Sequence, residues 1–228
     1  MNWRFIPSSC EPTLGQMAYD AELFRGFKPG HPPILRFFFF HRPTLTLGRL
    51  EAKRLDLEQL SYPYEIRPTG GRMVLHGVDD LCYSITASVT DPLVGGTLLE
   101  SYRKISVLLA YALRGQGRDV KFSDEKHPGL EKSHCFSALS FAELTLNGKK
   151  VAGGAQAREG TVFLQQGVIL LSVTPGWRTL FSGKEDGLMA GLNNDSFLPP
   201  LSRVDLEHAV TAAFEEAGVQ FEKPFIPV

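Results

Sequence analysis

The sequence has few cysteines, almost no net charge and no long apolar run, and each of these absences excludes a class of protein. Three cysteines in 228 residues, at no metal-ligand spacing, do not make a disulfide framework or a zinc site. The 24 basic and 25 acidic residues leave a net charge of −1, so no overall field favours nucleic acid or an anionic membrane. No segment approaches the roughly 18 apolar residues that a membrane-spanning helix needs.

The remaining composition is that of a globular protein. Hydrophobic residues make up 43% and charged residues 21%, and the length suits one large domain or two small ones. The opening residues, MNWRFIPSSCEP, lack the basic and apolar regions of a signal peptide. We therefore expect a cytoplasmic protein whose thiols are reduced.

Apolar periodicity predicts a sheet-rich chain with interspersed helices. Strong alternation or β-branched content indicates strands, and apolar residues at helical spacing indicate helices. The predicted strands are Trp3–Ile6, Ile34–Phe40, Thr44–Leu47, Tyr64–Pro68, Met73–His76 and Leu81–Ser88, with further β-rich runs at Ala142–Leu146 and Thr161–Leu171. The predicted helices are Thr13–Phe24, Thr97–Leu113 and Ser202–Glu216. This order of elements favours an α+β fold with a mixed, largely antiparallel sheet flanked by helices.

Two local signals fix particular turns. Asn147-Gly148 between two strand-like runs is a strong hairpin signal. Ser202 with Asp205 three residues later has the spacing of a capping box at a helix start.

Three segments carry candidate chemistry, and each also has an ordinary structural interpretation. Arg67 to His76, RPTGGRMVLH, places two glycines and two arginines where a backbone could approach a ligand, or where a plain hairpin carries surface arginines. Asn147 to Arg158, NGKKVAGGAQAR, could expose its lysines to solvent. Cys135 could be a nucleophile or a small buried hydrophobe.

The order and spacing of these segments resemble one family, the lipoate-protein ligases and octanoyltransferases. RPTGGRMVLHGVDDLCYSI is similar to the family's glycine signature, and NGKKVAGGAQAREGTVFLQQGVILL to its lysine-bearing hairpin. Phe136 and Glu143-Leu144 match the approach to that hairpin, and the likeness extends from the N-terminus to about Leu171. The resemblance implies the fold of the biotin and lipoate ligase catalytic domain, here a single domain over 1–228 without a fused accessory domain.

The resemblance also implies an acyl chain in a tunnel beneath the glycine-rich loop, with Lys150 as the family's lysine and Lys149 at the surface. The implied catalytic residues are Cys135 and Lys150, and no metal is implied. The implied substrate-binding residues are Arg67, Thr69, Gly70, Gly71, Arg72, His76, Gly153, Gly154, Ala155 and Gln156.

The sequence departs from the family pattern at three positions. Ile66 stands where relatives often have a second arginine, Cys82 replaces a usual threonine, and Gln166 replaces a common histidine. His76 and Asp79 or Asp80 are the remaining acid–base candidates nearby, although each residue type is also common in purely structural roles.

Two mechanisms share this scaffold. An octanoyltransferase takes the acyl group from acyl carrier protein onto a cysteine and passes it to a lysine of a lipoyl-domain protein, of the glycine cleavage H protein or dehydrogenase E2 type, without a cofactor. A lipoate ligase instead uses ATP and magnesium to form an adenylate. Cys135 lies where one octanoyltransferase branch carries its nucleophile, which favours the transferase. A homologue that binds lipoyl or biotinyl groups without chemistry is the third alternative.

Overall fold

The computed structural model describes residues 1–123, 142–180, 189–194 and 198–222. In these ranges the helices are α1 (Gln16–Gly26), α2 (Leu98–Gly115), α3 (Gly176–Leu180) and α4 (Arg203–Glu216). The strands are β1 (Asn2–Ile6), β2 (Ile34–Phe38), β3 (Thr44–Gly48), β4 (Tyr64–Arg67), β5 (Val74–His76), β6 (Leu81–Ser88), β7 (Lys121–Phe122), β8 (Leu144–Leu146), β9 (Lys149–Glu159), β10 (Val162–Ile169) and β11 (Gln220–Phe221).

The described strands form two sheets. The larger sheet has eight strands in the order β11-β1-β2-β6-β10-β9-β8-β7, and the smaller has three in the order β4-β3-β5. Among the described strands, β1 pairs in parallel with β2 and β11, and β3 pairs in parallel with β4. An isolated parallel bridge also joins Lys150 to Met189. The predicted α+β class with a largely antiparallel sheet is confirmed.

The large sheet is buried on both faces. One face packs against α2 and α4, with Tyr83 and Phe163 among the core residues. The other face contributes Cys82 and Val168 to a second cluster, which also contains Leu45 of the small sheet. The small sheet therefore covers the face that α2 and α4 leave open, and the space between the two sheets becomes the candidate site.

Local sequence signals set the ends of several elements as predicted. Ser202 accepts a hydrogen bond from the Asp205 backbone at 3.1 Å, and the Asp205 carboxylate accepts one from the Ser202 backbone at 2.7 Å, which confirms the capping box. Asn147 and Gly148 have φ of 53° and 75° and turn the chain from β8 into β9, which confirms the hairpin.

Other boundaries differ from prediction. The first helix begins at Gln16 instead of Thr13, after an N-cap at Gly15 that offers no side-chain acceptor. The second strand ends at Phe38, two residues before the predicted Phe40. Within the described residues, no helix combines the length and the apolar character that crossing a bilayer requires.

Candidate active site

A cavity that opens to solvent lies between the two sheets. Its apolar lining comes from Met17, Phe38, Val74 and Val168, and its polar lining from Thr46, Arg67, His76, Glu143, Lys150 and Gln166. Gly153, Gly154, Ala155 and Gly167 complete the wall. The apolar surface suits a hydrocarbon chain, and the polar groups are few enough to act as specific contacts.

Lys150 is the central charged group of this wall. Its side chain is 2% exposed, and its ammonium donates to the carboxylate of Glu143, whose side chain is 10% exposed. A Cβ at Gly153 would lie 2.5 Å from the Lys150 Cε and 3.0 Å from a Glu143 oxygen. Gly153 thus leaves the room that the ion pair occupies. Lys149, in contrast, is exposed.

A β-bulge aims Lys150 into the cavity. Thr145 pairs with Lys150 while Leu144 pairs with Ala152, so Val151 is an extra residue in β9. The bulge shifts the alternation by one, which places Lys150 and Gly153 on the same face of the strand.

The loop after β4 is held by Arg67. Its guanidinium donates to the carbonyl oxygens of Thr46, Gly70 and Arg72 at 2.7, 3.1 and 2.6 Å. Gly71 has φ of +85°, and an added Cβ at Gly48 would overlap the Gly71 carbonyl oxygen. Glycines therefore permit both the loop conformation and its close packing on β3.

His76 is buried between Thr46 and Cys82. Its Nε2 lies 2.8 Å from the Thr46 hydroxyl and its Nδ1 lies 3.3 Å from the Cys82 sulfur. Arg67 already donates to the Thr46 hydroxyl oxygen at 2.7 Å, so the Thr46 proton is best placed on the side of His76. We accordingly assign the His76 proton to Nδ1, directed at Cys82.

Burial decides the charge of these groups. Burial, followed by the nearby Arg67 charge, lowers the pKa of His76 to about 3, so the ring is neutral at pH 7. Burial raises the pKa of the Cys82 thiol well above its ordinary value. Cys82 is therefore a protonated core thiol, and His76 is a weak base with both nitrogens engaged.

A buried polar network supports the far side of the cavity. Asp20 binds Arg36 at 2.6 Å and accepts hydrogen bonds from Ser84 at 2.8 Å and Gln166 at 2.7 Å. The other end of the Gln166 amide accepts from the Thr69 hydroxyl at 2.9 Å. The sequence reasoning did not identify Asp20 or Arg36 as site residues, although Arg36 within an apolar strand was a signal that a buried partner exists.

The structure brings together most of the predicted site residues that it describes. Arg67, His76, Lys150, Gly153, Gly154 and Ala155 line the cavity. Thr69, Gly70, Gly71 and Arg72 belong to the loop that Arg67 holds, and Thr69 reaches the lining through Gln166. The predicted Cys135, and Phe136 beside it, lie outside the described residues.

Gln156 is placed away from the cavity. Its side chain donates to Gln165 at 3.0 Å and accepts from Arg158 at 2.7 Å, and Arg158 in turn reaches Ser101 of α2. The bulge at Val151 is the reason, because it puts Gln156 on the face opposite to Lys150.

The two aspartates proposed as acid–base candidates also lie outside the lining. Asp80 accepts from the backbone N–H groups of Gly77 at 2.8 Å and Leu171 at 3.2 Å, which is a structural role. Burial raises the pKa of Asp80 to about 7, although these two hydrogen bonds lower it. Asp79 is exposed.

Comparison with known proteins identifies the family to which this fold belongs. Residues 12–185 match the lipoyl protein ligase A/B catalytic domain, and the chain belongs to that family. It is 38% identical over 177 residues to the octanoyltransferase LipM of Carboxydothermus hydrogenoformans, a match that covers 75% of this chain and 65% of the relative. It is 34% identical over 237 residues to LipM of Geobacillus kaustophilus, covering 98% and 84%. The chain thus covers just under two thirds of the length of the Carboxydothermus relative and 84% of the length of the Geobacillus relative.

Solved structures agree on the fold. A lipoate-protein ligase A bound with ATP superposes with a TM-score of 0.78 at 22% identity, covering 100% of this chain and 90% of that one. A putative lipoate protein ligase from T. acidophilum with bound lipoic acid gives 0.77 at 22% identity, with the same coverage. The predicted family and fold are confirmed.

Proposed function

We propose that this protein is an octanoyltransferase. In this proposal it takes an octanoyl group from acyl carrier protein onto Cys135 as a thioester, and passes it to a lysine of a lipoyl-domain protein. The observation that carries the proposal is a buried lysine, Lys150, in the wall of a cavity whose surface is mostly apolar. Relatives named octanoyltransferase LipM support transfer of an octanoyl group.

The cavity supplies binding energy for the acyl chain. At ~0.8 kcal/mol per buried CH₂, an octanoyl tail contributes roughly 5 kcal/mol of gross binding free energy. Met17, Phe38 and Val168 are the apolar groups positioned to contact it. The polar end of the acyl chain is best directed at the buried ammonium of Lys150.

Lys150 has two uses in this reaction. Its ammonium can stabilise the negative charge that develops on the thioester carbonyl oxygen, and it can stabilise a thiolate at Cys135. Arg67 has a different role, because its guanidinium holds the carbonyls of the glycine-rich loop. We assign Arg67 to the shape of the cavity and Lys150 to its chemistry.

The energy for amide formation is already stored in the incoming thioester, so the proposed reaction needs neither nucleotide nor metal. It needs a reduced cysteine, which fits a cytoplasmic location. We also propose that residues 1–228 suffice for both steps. The acceptor in this scheme is a lipoyl domain of the H protein or dehydrogenase E2 type.

The test uses the purified chain, octanoyl-loaded acyl carrier protein and an unmodified lipoyl domain. Intact mass should show one octanoyl adduct that hydroxylamine removes, followed by octanoylation of the lipoyl domain without ATP. Cys135→Ala should abolish the adduct and lower transfer by at least about 10²-fold, whereas the buried Cys82→Ala and the half-buried Cys10→Ala should retain the adduct.

A different result would identify the ligase. Modification of the lipoyl domain by free lipoate and ATP, at a rate indifferent to Cys135→Ala, would contradict the proposed transferase. The family assignment would stand in that case.

A further inference from the structure

Glu143 is the one carboxylate among the described residues that line the cavity. Its position is well fixed. The Glu143 carbonyl accepts a hydrogen bond from the Ser123 backbone at 2.8 Å, and the next residue begins β8. Its side chain, 10% exposed, lies against the Lys150 ammonium. The cavity wall therefore carries a carboxylate and an ammonium group side by side.

The proposed reaction, on which this inference rests, leaves one proton unassigned. A lysine side chain has an ordinary pKa near ~10.4, so the acceptor arrives as an ammonium and must lose a proton before its nitrogen can attack. Inside the cavity that ammonium would meet the positive charges of Lys150 and Arg67 in apolar surroundings. Both conditions favour the neutral amine, provided that a base is at hand.

His76 is the other lining residue that could take the proton, and its surroundings argue against it. Both ring nitrogens are engaged, with Thr46 on one side and Cys82 on the other. Burial beside Arg67 disfavours a positive charge on the ring. A carboxylate responds to burial in the opposite way. Apolar surroundings disfavour its charged form and so favour uptake of a proton, whereas they disfavour the protonated imidazole.

We propose that Glu143 is the general base that deprotonates the acceptor lysine. The ammonium gives one proton to the Glu143 carboxylate, and the neutral nitrogen attacks the carbonyl carbon of the octanoyl thioester. The carbon–sulfur bond then breaks and the sulfur leaves with the electron pair. The second proton lost by the nitrogen goes to that sulfur, and Glu143 releases its own proton to solvent.

In this arrangement the two adjacent side chains have separate roles. Lys150 keeps its positive charge throughout and faces the developing oxyanion, while Glu143 changes its protonation state. Glu143 and Lys150 can occupy the same part of the wall because Gly153 has no Cβ, which would crowd both side chains. A general base typically contributes 10²-fold or more to a rate.

The experiment separates the two half-reactions in Glu143→Gln. A glutamine carbonyl can still accept a hydrogen bond from Lys150, so the variant removes the base and keeps the lysine partnered. We expect wild-type formation of the octanoyl adduct, and transfer to the lipoyl domain slowed by about 10²-fold near neutral pH, with a rate that rises as pH increases. The exposed Glu159→Gln, in the same strand as Lys150, is the matched control and should behave as wild type.

Hydroxylamine provides the discriminating nucleophile, because it is already neutral near neutral pH. Glu143→Gln should release the octanoyl group to hydroxylamine as fast as wild type does. If Glu143→Gln loses the same factor in rate with hydroxylamine and with the lipoyl domain, Glu143 only positions Lys150. Transfer to the lipoyl domain at the wild-type rate by Glu143→Gln would also overturn the assignment.

Two further outcomes keep the inference separate from the proposed function. If Glu143→Gln is unfolded, Glu143→Asp takes its place, because aspartate retains a carboxylate. The transfer rate of Glu143→Asp should then depend on pH as in wild type. A transfer rate that rises with pH as the acceptor amine loses its proton would overturn the role of Glu143 as base. If wild type forms no octanoyl adduct, the transferase proposal itself fails, and the role of Glu143 fails with it.

Discussion

At the scale of single residues, ion pairs hold the buried charges in and beside the cavity. Lys150 is paired with Glu143, and Asp20 is paired with Arg36. Buried polar groups need such partners, because an unsatisfied one costs free energy. The same contacts fix the direction of each functional atom, so stability and positioning have one physical origin here.

For His76, the effect of burial can be measured through the pH dependence of the free energy of unfolding. Its pKa is about 3 in the folded protein and about 6.5 in an unfolded chain, so below about pH 6.5 the unfolded state binds the extra proton. The free energy of unfolding should therefore fall by about 1.4 kcal/mol per pH unit as pH drops from about 6.5 towards 3, with no contribution from His76 above that window.

His76→Gln removes this titration and should flatten the slope, while costing about 1–3 kcal/mol of stability at neutral pH through its lost hydrogen bonds. Urea unfolding at a series of pH values measures both effects. The exposed His208→Gln serves as control and should keep the wild-type slope. Parallel slopes for wild type and His76→Gln would show that another group causes the acid sensitivity.

At the scale of elements, the glycine-rich loop and β3 act as one unit. Gly48 at the end of β3 leaves no room for a side chain, because the Gly71 carbonyl oxygen occupies that space. The loop contains Thr69, which reaches the cavity through Gln166, and it is held by Arg67, which lines the cavity directly. A change at Gly48 therefore acts on the site without touching its lining.

Gly48→Ala should displace the loop and destabilise the protein by about 1–3 kcal/mol, the usual cost of overpacking. We expect octanoate binding to weaken as well, and calorimetry together with urea unfolding measures the two effects. Gly115→Ala at the end of α2 is the matched control, since its Cβ meets nothing within 4 Å and alanine should stabilise the helix by up to about 1 kcal/mol. Equal responses of the two variants would contradict the loop-packing argument.

Sequence reasoning predicted the elements whose signal is local. β6 was predicted with its observed bounds, and the Asn147-Gly148 hairpin and the Ser202 capping box were confirmed. β7 and β11 were missed, because two residues are too short to show any periodicity. Their places in the sheet depend on partners far along the chain.

The site was predictable to the extent that its residues lie in motifs. Lys150 and His76 were named from such motifs, and the structure places both in the cavity wall. The link from Thr69 through Gln166 to Asp20 was not predictable, since it joins residues 97 and 146 positions apart. Gln156 was named from the family resemblance together with its neighbours, and a motif does not show that a bulge turns its side chain towards Gln165 and Arg158.

At the scale of the whole molecule, the hydrogen bonds from Thr69 through Gln166 to Asp20 connect the separate layers. Thr69 lies between β4 and β5 of the small sheet, Gln166 belongs to the large sheet, and Asp20 lies on α1. Hydrogen bonds of 2.9 and 2.7 Å join them through one amide group. The relative position of the layers, and hence the width of the cavity, depends in part on this amide.

Gln166→Leu keeps a similar volume and removes both hydrogen bonds. It should cost about 1–3 kcal/mol, because the Thr69 hydroxyl and the Asp20 carboxylate each lose a buried partner. Hydrogen exchange in residues 67–72 should accelerate, and urea unfolding gives the loss of stability. The exposed Gln220→Leu in β11 controls for the change of residue type, and unchanged exchange in Gln166→Leu would mean that Arg67 alone holds the loop.

The extra residue in β9 makes the site depend on the length of the hairpin as well as on its composition. Val151 stands between Lys150 and the glycines, and it is the residue that sets Lys150 and Gly153 on the same face. A deletion of one residue there would restore regular alternation and leave every side chain of the site present, but Lys150 and Gly153 would face opposite sides. For relatives of this chain, an insertion or deletion between positions 147 and 153 is therefore as informative about activity as the loss of the lysine itself.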